Sequence, residues 1–425
     1  MGTLHRLRRS KFLRQNAIYF IGSLAIGLLN YLYYPVMGRL LHPDSFGEVQ
    51  VLFSIFAQIA IFLNVFGLLT VNIAANYDNV PRRNRIIAEL EKLAIFVGIA
   101  LLVVTVLAGT TLQSFFRFGS ETPFIILALS ILVSIPLTFR AGFLRGKQYF
   151  GWGAFVGVVA AACDLVFSAI LVLIGWSTTG AMLGLVFAQI VGFSFAGIIA
   201  HRRGFTESFA QNMIRKPDLR LLLPELKYAL LVLCGSLAIT ILYSVDTIAV
   251  KHYFDVRTAG LYAGISTIAR IIFYLTASVA QVLLPSIRLQ QSAHENHQTL
   301  LKSFCLLVII GGSSLAVFTL MPHTIISVLM GKAYTPYANL LPRLSLVIFV
   351  ISLANLFIMY HMALRRYAVI PIVLAGVVLT YGLILFHHQS PAAIIGSLLY
   401  GSAGLVLMLG VWFVGLRNKL LGEAT

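Results

Sequence analysis

Acidic residues are scarce in this chain, where Asp and Glu together number 14 in 425 residues against 31 Lys and Arg. The gaps predicted to face outward are short and acid-poor, with Asp44 the lone acid in the first of them. A membrane glycosyltransferase or glycan ligase needs catalytic acids or a large outer domain, so that class is disfavoured. The Walker phosphate loop, the nucleophile elbow and the zinc-protease motif are missing as well, and no enzyme activity is expected. Cysteine is limited to Cys163, Cys234 and Cys305, far apart and each inside an apolar run. That pattern fits small buried hydrophobes and gives neither a disulfide framework nor a metal cluster. His387 and His388 share a short loop without a Cys or acidic partner, which makes a poor metal site. No cofactor is expected.

Apolar sequence is what the chain has in abundance. Hydrophobic residues make up 59% of it and charged ones 11%, and the apolar stretches reach the roughly twenty residues that span a bilayer. Spans are predicted at 16–38, 47–73, 93–113, 123–144, 154–175, 181–200, 228–250, 260–284, 301–321, 340–360, 367–386 and 392–416. The fold class is therefore an all-α polytopic membrane protein of about twelve transmembrane helices. The N-terminus has the basic start of a signal peptide, but its apolar stretch is too long and lacks a small-residue cleavage site, so it reads as a retained first span.

Basic residues set the orientation, because positively charged loops stay in the cytoplasm. The N-terminal tail, the even-numbered gaps and the C-terminal tail hold twenty-four Lys and Arg, while the odd-numbered gaps hold six: Arg39, Arg117, Lys251, Arg257, Lys332 and Arg343. Both termini are thus predicted to be cytoplasmic, in agreement with an even number of spans. The net charge of +17 is first a topology signal. A nucleic-acid partner would need a soluble basic face that this chain lacks, whereas anionic membrane lipids are natural neighbours.

The spans divide into an N-terminal bundle over 1–200, a basic cytoplasmic linker over 201–227 and a C-terminal bundle over 228–425. Two segments suggest that the bundles repeat. Leu112–Gly119 precedes Thr122-Pro123-Phe124 and a span ending in Phe143-Leu144-Arg145. Thr324–Gly331 precedes Thr335-Pro336-Tyr337 and a span ending in Ala363-Leu364-Arg365. Phe46-Gly47-Glu48 is likewise answered by Ala259-Gly260-Leu261. An even number of spans per half gives parallel repeats related by a pseudo-two-fold axis along the membrane normal.

The run from Asn16 to Gly47, with Gly22, Asn30, Pro35, Arg39-Leu40-Leu41 and Pro43-Asp44-Ser45-Phe46-Gly47, resembles the opening of bacterial polysaccharide-export proteins. These form the oligosaccharide flippase branch, including O-antigen flippases, of the multidrug, oligosaccharidyl-lipid and polysaccharide (MOP) exporter superfamily. His42 departs from the pattern, standing where Gly is common. Asp246 through His252, Phe254, Ala259-Gly260-Leu261-Tyr262-Ala263 and Arg270 resemble the same family's seventh and eighth helices. The resemblance implies a V-shaped pair of six-helix bundles in the cell inner membrane, with the first, second, seventh and eighth helices lining a central cavity. It also implies a polyprenyl-diphosphate-linked oligosaccharide as the cargo, carried from inner to outer leaflet for cell-surface polysaccharide such as lipopolysaccharide. A polysaccharide polymerase or other assembly protein would be a partner.

Arg270 is stranded within the eighth span, on the order of 14 Å from its end at 1.5 Å per residue. A charge there costs about 2.5–3.5 kcal/mol on insertion scales, so it must face water or a partner. Its planar fork of donors suits a diphosphate or acidic sugar, and an ion pair with Asp246 or Asp164 is the alternative. Asp246 and Asp164 could each bind a coupling proton or cation, since a buried carboxylate is costly when charged. They could equally serve as structural polar groups. Arg39 at the outer end of the first span either snorkels to headgroups or joins the substrate site. Arg140, Arg145 and Lys147 are explained by topology, with attraction of a diphosphate from the inner leaflet as a further role. Asn30, Tyr34, Gln58, Asn64, Asn72, Tyr243, Tyr262 and Gln281 lie on the four expected cavity helices, where they could bind sugars or join helices. The rival in the same superfamily is a cation-coupled drug antiporter. Cationic drugs favour acidic cavities, so Arg270 argues for an anionic cargo.

Overall fold

The computed structural model describes the backbone of residues 2–77, 79–205, 223–287, 293–364, 366 and 368–422, and side chains there except at 2–20, 76, 223–232, 234–235, 281–282, 284–286, 293 and 416–422. The predicted basic linker falls largely outside the described residues, as do the side chains of Cys234, Gln281 and Arg365.

No strand occurs among the described residues. An apolar medium offers backbone N–H and C=O groups no water, and a helix satisfies them within one segment. The helices are α1 (Gly2–Leu40), α2 (Pro43–Asn76), α3 (Val80–Leu107), α4 (Gly109–Phe116), α5 (Thr122–Gly146), α6 (Phe150–Leu171), α7 (Ser177–Arg202) and α8 (Leu223–Tyr253). Then come α9 (Val256–Ala269), α10 (Ile271–Ser286), α11 (Ala293–Leu320), α12 (Pro322–Leu329), α13 (Leu341–Ala363), α14 (Val369–Phe386) and α15 (Pro391–Gly422). Each of the twelve predicted spans lies on these rods. Nine segments among the described residues are long and apolar enough to cross a membrane, and one of them, Phe150–Arg202, carries two predicted spans.

Helix boundaries follow local chemistry. Pro43 and Pro322 open α2 and α12, where the missing N–H costs nothing. Asn79 caps α3 by accepting the Arg82 N–H at 3.0 Å. Asp255 caps α9 by accepting the Thr258 N–H at 2.9 Å. Bonds from the Thr258 backbone and hydroxyl hold the Asp255 carboxyl below its ordinary value of 3.8. The cap's contribution is therefore complete above pH 3.8 and is lost as pH falls through the lower folded value. Between α6 and α7 the chain reverses through Val172–Trp176, with Gly175 at φ 101°. The third predicted span shifts toward the N-terminus: α3 begins at Val80, and the end of the apolar run forms the separate α4.

The chain divides into two compact units, Met1–Leu233 and Cys234–Thr425. In the first, α6 packs on α7 and α1, while α5 packs on α2, α3 and α7. A Cβ on Gly146 would lie 2.6 Å from the Val71 carbonyl oxygen, so α5 approaches α2 as closely as backbones allow. One end of this unit is tied by Glu48, which accepts from the Thr178 hydroxyl at 2.7 Å and the Gly119 N–H at 3.3 Å. In the second unit, α13 packs on α10, α11 and α15, around Val279, Leu283, Leu307, Leu356 and Tyr360.

The repeat read from the sequence recurs in the order of elements. In the first unit a long helix is followed by the eight-residue α4 and then α5. In the second, α11 is followed by the eight-residue α12, a 3-10 turn over Lys332–Leu340 and α13. Left-handed or otherwise positive φ values at Arg117 (53°) and Gly331 (101°) end the two short segments.

Gly146→Leu should lower stability by about 1–3 kcal/mol through overpacking at α2, while Gly382→Ala, whose Cβ would meet nothing within 4 Å, should stay within about 0.5 kcal/mol of wild type. Melting of the purified protein in detergent checks both.

Candidate substrate and coupling site

The second unit gathers four of the predicted site residues. Asp246 near the end of α8 and Arg270 at the α9–α10 junction form an ion pair, with Arg270 Nη2 2.9 Å from Asp246 Oδ1. The junction holds helical geometry, since the Arg270 N–H reaches the Ser266 carbonyl at 3.1 Å and the Tyr274 N–H reaches the Arg270 carbonyl at 3.2 Å. Arg270 is 7% exposed and Asp246 3%, so neither charge is neutralised by water. Of the two readings of Arg270, the structure shows the ion pair, and Asp246 rather than Asp164 is the partner.

Polar groups around the pair complete it. Arg270 Nη2 also donates to Thr247 Oγ1 at 2.6 Å. Asp246 Oδ2 accepts from the Tyr262 hydroxyl at 3.1 Å and from the Ser266 hydroxyl. Tyr262 is wholly buried, which makes it a support beneath Asp246. Tyr243 stacks on Phe273 at 5.0 Å between centroids, and the Arg270 guanidinium carbon lies 5.8 Å from its ring. The Arg270 Nε–H alone among these buried donors has no acceptor among the described residues. Thr247 and Ser266 escaped the sequence reading. For Ser266 the signal was spacing, since Tyr262, Ser266 and Arg270 recur every fourth residue and share one helix face, and for Thr247 it was adjacency to Asp246.

The other predicted residues lie in the first unit. Arg39 is exposed at the end of α1, Asn30 is exposed on the same helix, and Tyr34 and Gln58 are half-buried on α1 and α2. Asn64 and Asn72 are exposed two turns apart on α2, which places them on one face with Leu68 between them. Asp164 is half-buried on α6, with Ser168 Oγ 3.3 Å from its Oδ1. Ser168 Oγ also lies 3.0 Å from the Ala181 carbonyl oxygen, and its single proton serves one of these acceptors at a time.

A second charged group was not foreseen. Glu91 on α3 is 1% exposed and forms an ion pair with Arg140 on α5. Lys92 Nζ lies 3.4 Å from Glu89 Oε1 on the same helix. From sequence, Lys92 reads as a topology signal and Arg140 as one with attraction of a diphosphate added, because a basic residue near a span end looks the same whether it faces water or an acid. The acids at 89 and 91, next to the apolar run of α3, were the available signal.

A family model described as polysaccharide biosynthesis protein matches residues 12–291. The chain belongs to this family. The likeness in fold runs further along the chain than the family match. An inward-facing multidrug resistance MATE family transporter of the MOP superfamily aligns with a TM-score of 0.73 at 15% identity, covering 93% of this chain and 94% of that one. The lipid II flippase MurJ, in an inward closed conformation, aligns with 0.71 at 13% identity, covering 92% and 86%. A MOP superfamily transporter from Pyrococcus furiosus, described as having a binding pocket of reverse polarity, aligns with 0.57 at 14% identity over 97% and 96%. At such identities the likeness concerns the fold. No curated protein matches the sequence. The resemblance carried by Asn16–Gly47 and Asp246–Arg270 is borne out, and this polysaccharide biosynthesis family member is a multi-pass membrane protein with the MOP transporter fold.

For this family member the Asp246–Arg270 pair makes a quantitative demand. Removing one partner leaves an uncompensated buried charge, at a cost of about 3–5 kcal/mol. Asp246→Asn and Arg270→Gln should each destabilise the protein by that order, and the double variant should fall short of the sum by at least about 1 kcal/mol. Denaturation in detergent measures the cycle; strict additivity would show the two side chains to be energetically independent.

Proposed function

We propose that the protein is a flippase for polyprenyl-diphosphate-linked oligosaccharide in the cell inner membrane, with both termini cytoplasmic and the bundles 1–200 and 228–425 joined by the linker 201–227. The observation that carries this reading is a buried, balanced Asp246–Arg270 pair in a member of the polysaccharide biosynthesis family. A cavity for cationic drugs calls for surplus acid, and here the acid is already matched by a guanidinium.

The proposed mechanism is an exchange of partners. A diphosphate oxygen replaces the Asp246 carboxylate on Arg270, using the fork geometry that suits phosphate and the Nε–H that lacks an acceptor among the described residues. Asp246 loses its counter-ion while keeping the Tyr262 and Ser266 hydroxyls, and a coupling proton or cation takes the place of the guanidinium, which gives Asp246 its coupling role. Arg39, Asn30, Gln58 and Tyr243 contact sugars or phosphate, and Asp164, with the Ser168 hydroxyl beside it, is a second coupling candidate. The lipid tail stays in the bilayer while the protein alternates between access to the two sides. A polysaccharide polymerase or another assembly protein receives the flipped product.

A strain lacking the gene should accumulate lipid-linked glycan in the inner leaflet, and wild type should clear it. Arg270→Ala should reduce clearance at least about tenfold, equivalent to 1.4 kcal/mol. The double variant Asp246→Asn/Arg270→Gln keeps the buried site neutral and should also fail. Clearance by that double variant at the wild-type rate would remove Arg270 from the cargo site. Drug resistance on expression, without any change in surface glycan, would favour the antiporter.

A further inference from the structure

The two short helices, α4 and α12, occupy matching places in the two units. Each follows a 28-residue helix that ends in a leucine, and Leu107 and Leu320 are both 80% exposed. Both short helices have eight residues, about 12 Å at 1.5 Å per residue. Neither can cross about 30 Å of hydrocarbon.

In the first unit α4 lies across the start of α5. Its first residue, Gly109, is so close to Glu121 that an added Cβ would come within 2.6 Å of Glu121 Oε2. Its last residue, Phe116, stacks on Phe124 with centroids 5.8 Å apart. Both ends of α4 thus meet residues only three apart at the start of α5, which turns the short helix across α5 rather than along it. Just after α4, the Gly119 N–H reaches Glu48 in α2, and Glu48 accepts from Thr178 at the start of α7. The level of α4 is therefore the end of the bundle where α2, α5 and α7 begin. In the second unit His323, in the first turn of α12, lies 3.1 Å from Asn339, just before α13 begins at Leu341. Tyr337 lies 3.2 Å from Thr258 in the first turn of α9. The level of α12 is again a bundle end, where α9 and α13 begin.

Side chains are sorted around each short helix. Gly109 and Phe116 of α4 are buried. Thr110 and Ser114, four residues apart, form an exposed polar side, and Leu112 and Phe115, three apart, form an apolar one. Phe115 is 48% exposed. On α12 Ile326 is buried, whereas Met321 at the cap and Val328 are 54% and 59% exposed. His323 and, just past the helix, Lys332 are exposed polar neighbours. A helix with one face on its own bundle, one apolar face open and polar groups beside it fits where hydrocarbon and water meet.

We propose that α4 and α12 lie in the plane of the bilayer at the boundary of headgroups and acyl chains, with Leu112 and Phe115 of one and Met321 and Val328 of the other inserted among the chains. Lipid is the occupant because the apolar faces continue those of membrane-spanning helices. Val103, Val104 and Leu107 lead along α3 to α4, and Val317 and Leu320 lead along α11 to α12, all of them exposed. Each anchor belongs to its own unit, and neither depends on the cargo or on which side of the membrane it faces.

Spin labels in the full chain, depleted of its three cysteines and reconstituted in phosphatidylcholine–phosphatidylglycerol nanodiscs, test the assignment. Labels on Phe115→Cys and Val328→Cys should collide with oxygen severalfold more than with a water-soluble nickel chelate, at a depth of about 5–10 Å below the phosphates. A label on Ser114→Cys, about 100° round the helix from Phe115, should favour the nickel chelate. If cysteine depletion unfolds the chain, Phe115→Trp and Val328→Trp with the cysteines kept give the same reading, through stronger quenching by lipids brominated near the headgroup than near the chain end. Preference for the nickel chelate at 115 or 328 would overturn the proposal. Shielding of either label from both reagents would show a protein contact instead, and a depth near the midplane would show a re-entrant segment; each would overturn it as well.

Discussion

A charge within hydrocarbon must have a partner, and the interior of this protein is arranged around that requirement. Once the backbone is satisfied by helices, what distinguishes one helix pairing from another is where the remaining polar groups meet. Asp246 and Arg270 tie α8 to the α9–α10 rod, and Glu91 and Arg140 tie α3 to α5. Each pair fixes the rotation of two helices about their axes, because a turned helix would strand a charge in an apolar setting.

The same pairs make the protein responsive. A buried ion pair contributes little net stability, since desolvation offsets most of the attraction. It is nevertheless sensitive to any anion that can compete for the guanidinium. Arg270 retains an Nε–H without an acceptor among the described residues. A guanidinium held by an acid and keeping a spare donor suits a protein of the polysaccharide biosynthesis family, whose proposed cargo carries phosphate.

Much of the fold was legible before any coordinates. The twelve apolar runs became helical rods because length and apolarity alone commit a segment to a membrane helix. The paired motifs at Thr122-Pro123-Phe124 and Thr335-Pro336-Tyr337 marked a repeat that returns as a short helix before α5 and another before α13. Span edges were less legible. The acids and bases at the start of α3 lowered the apparent hydrophobicity of a segment whose Arg83, Glu89, Glu91 and Lys92 are all buried, and the prediction began the span thirteen residues after the true helix start at Val80.

At the candidate site, residue types and their positions along the chain were enough to mark the exceptional ones. Arg270, Asp246 and Tyr262 stood out because polar groups are costly in an apolar run whatever surrounds them. How they are satisfied followed from helix packing. It placed Arg270 on Asp246 rather than Asp164, and it put Tyr262, Thr247 and Ser266 around the same carboxylate and guanidinium. It also turned Arg140 from a topology signal into the partner of Glu91. The cost of burying a charge depends on one residue and its medium, which a sequence contains. The identity of the compensating partner depends on the rotation and register of separate helices, which only their packing sets.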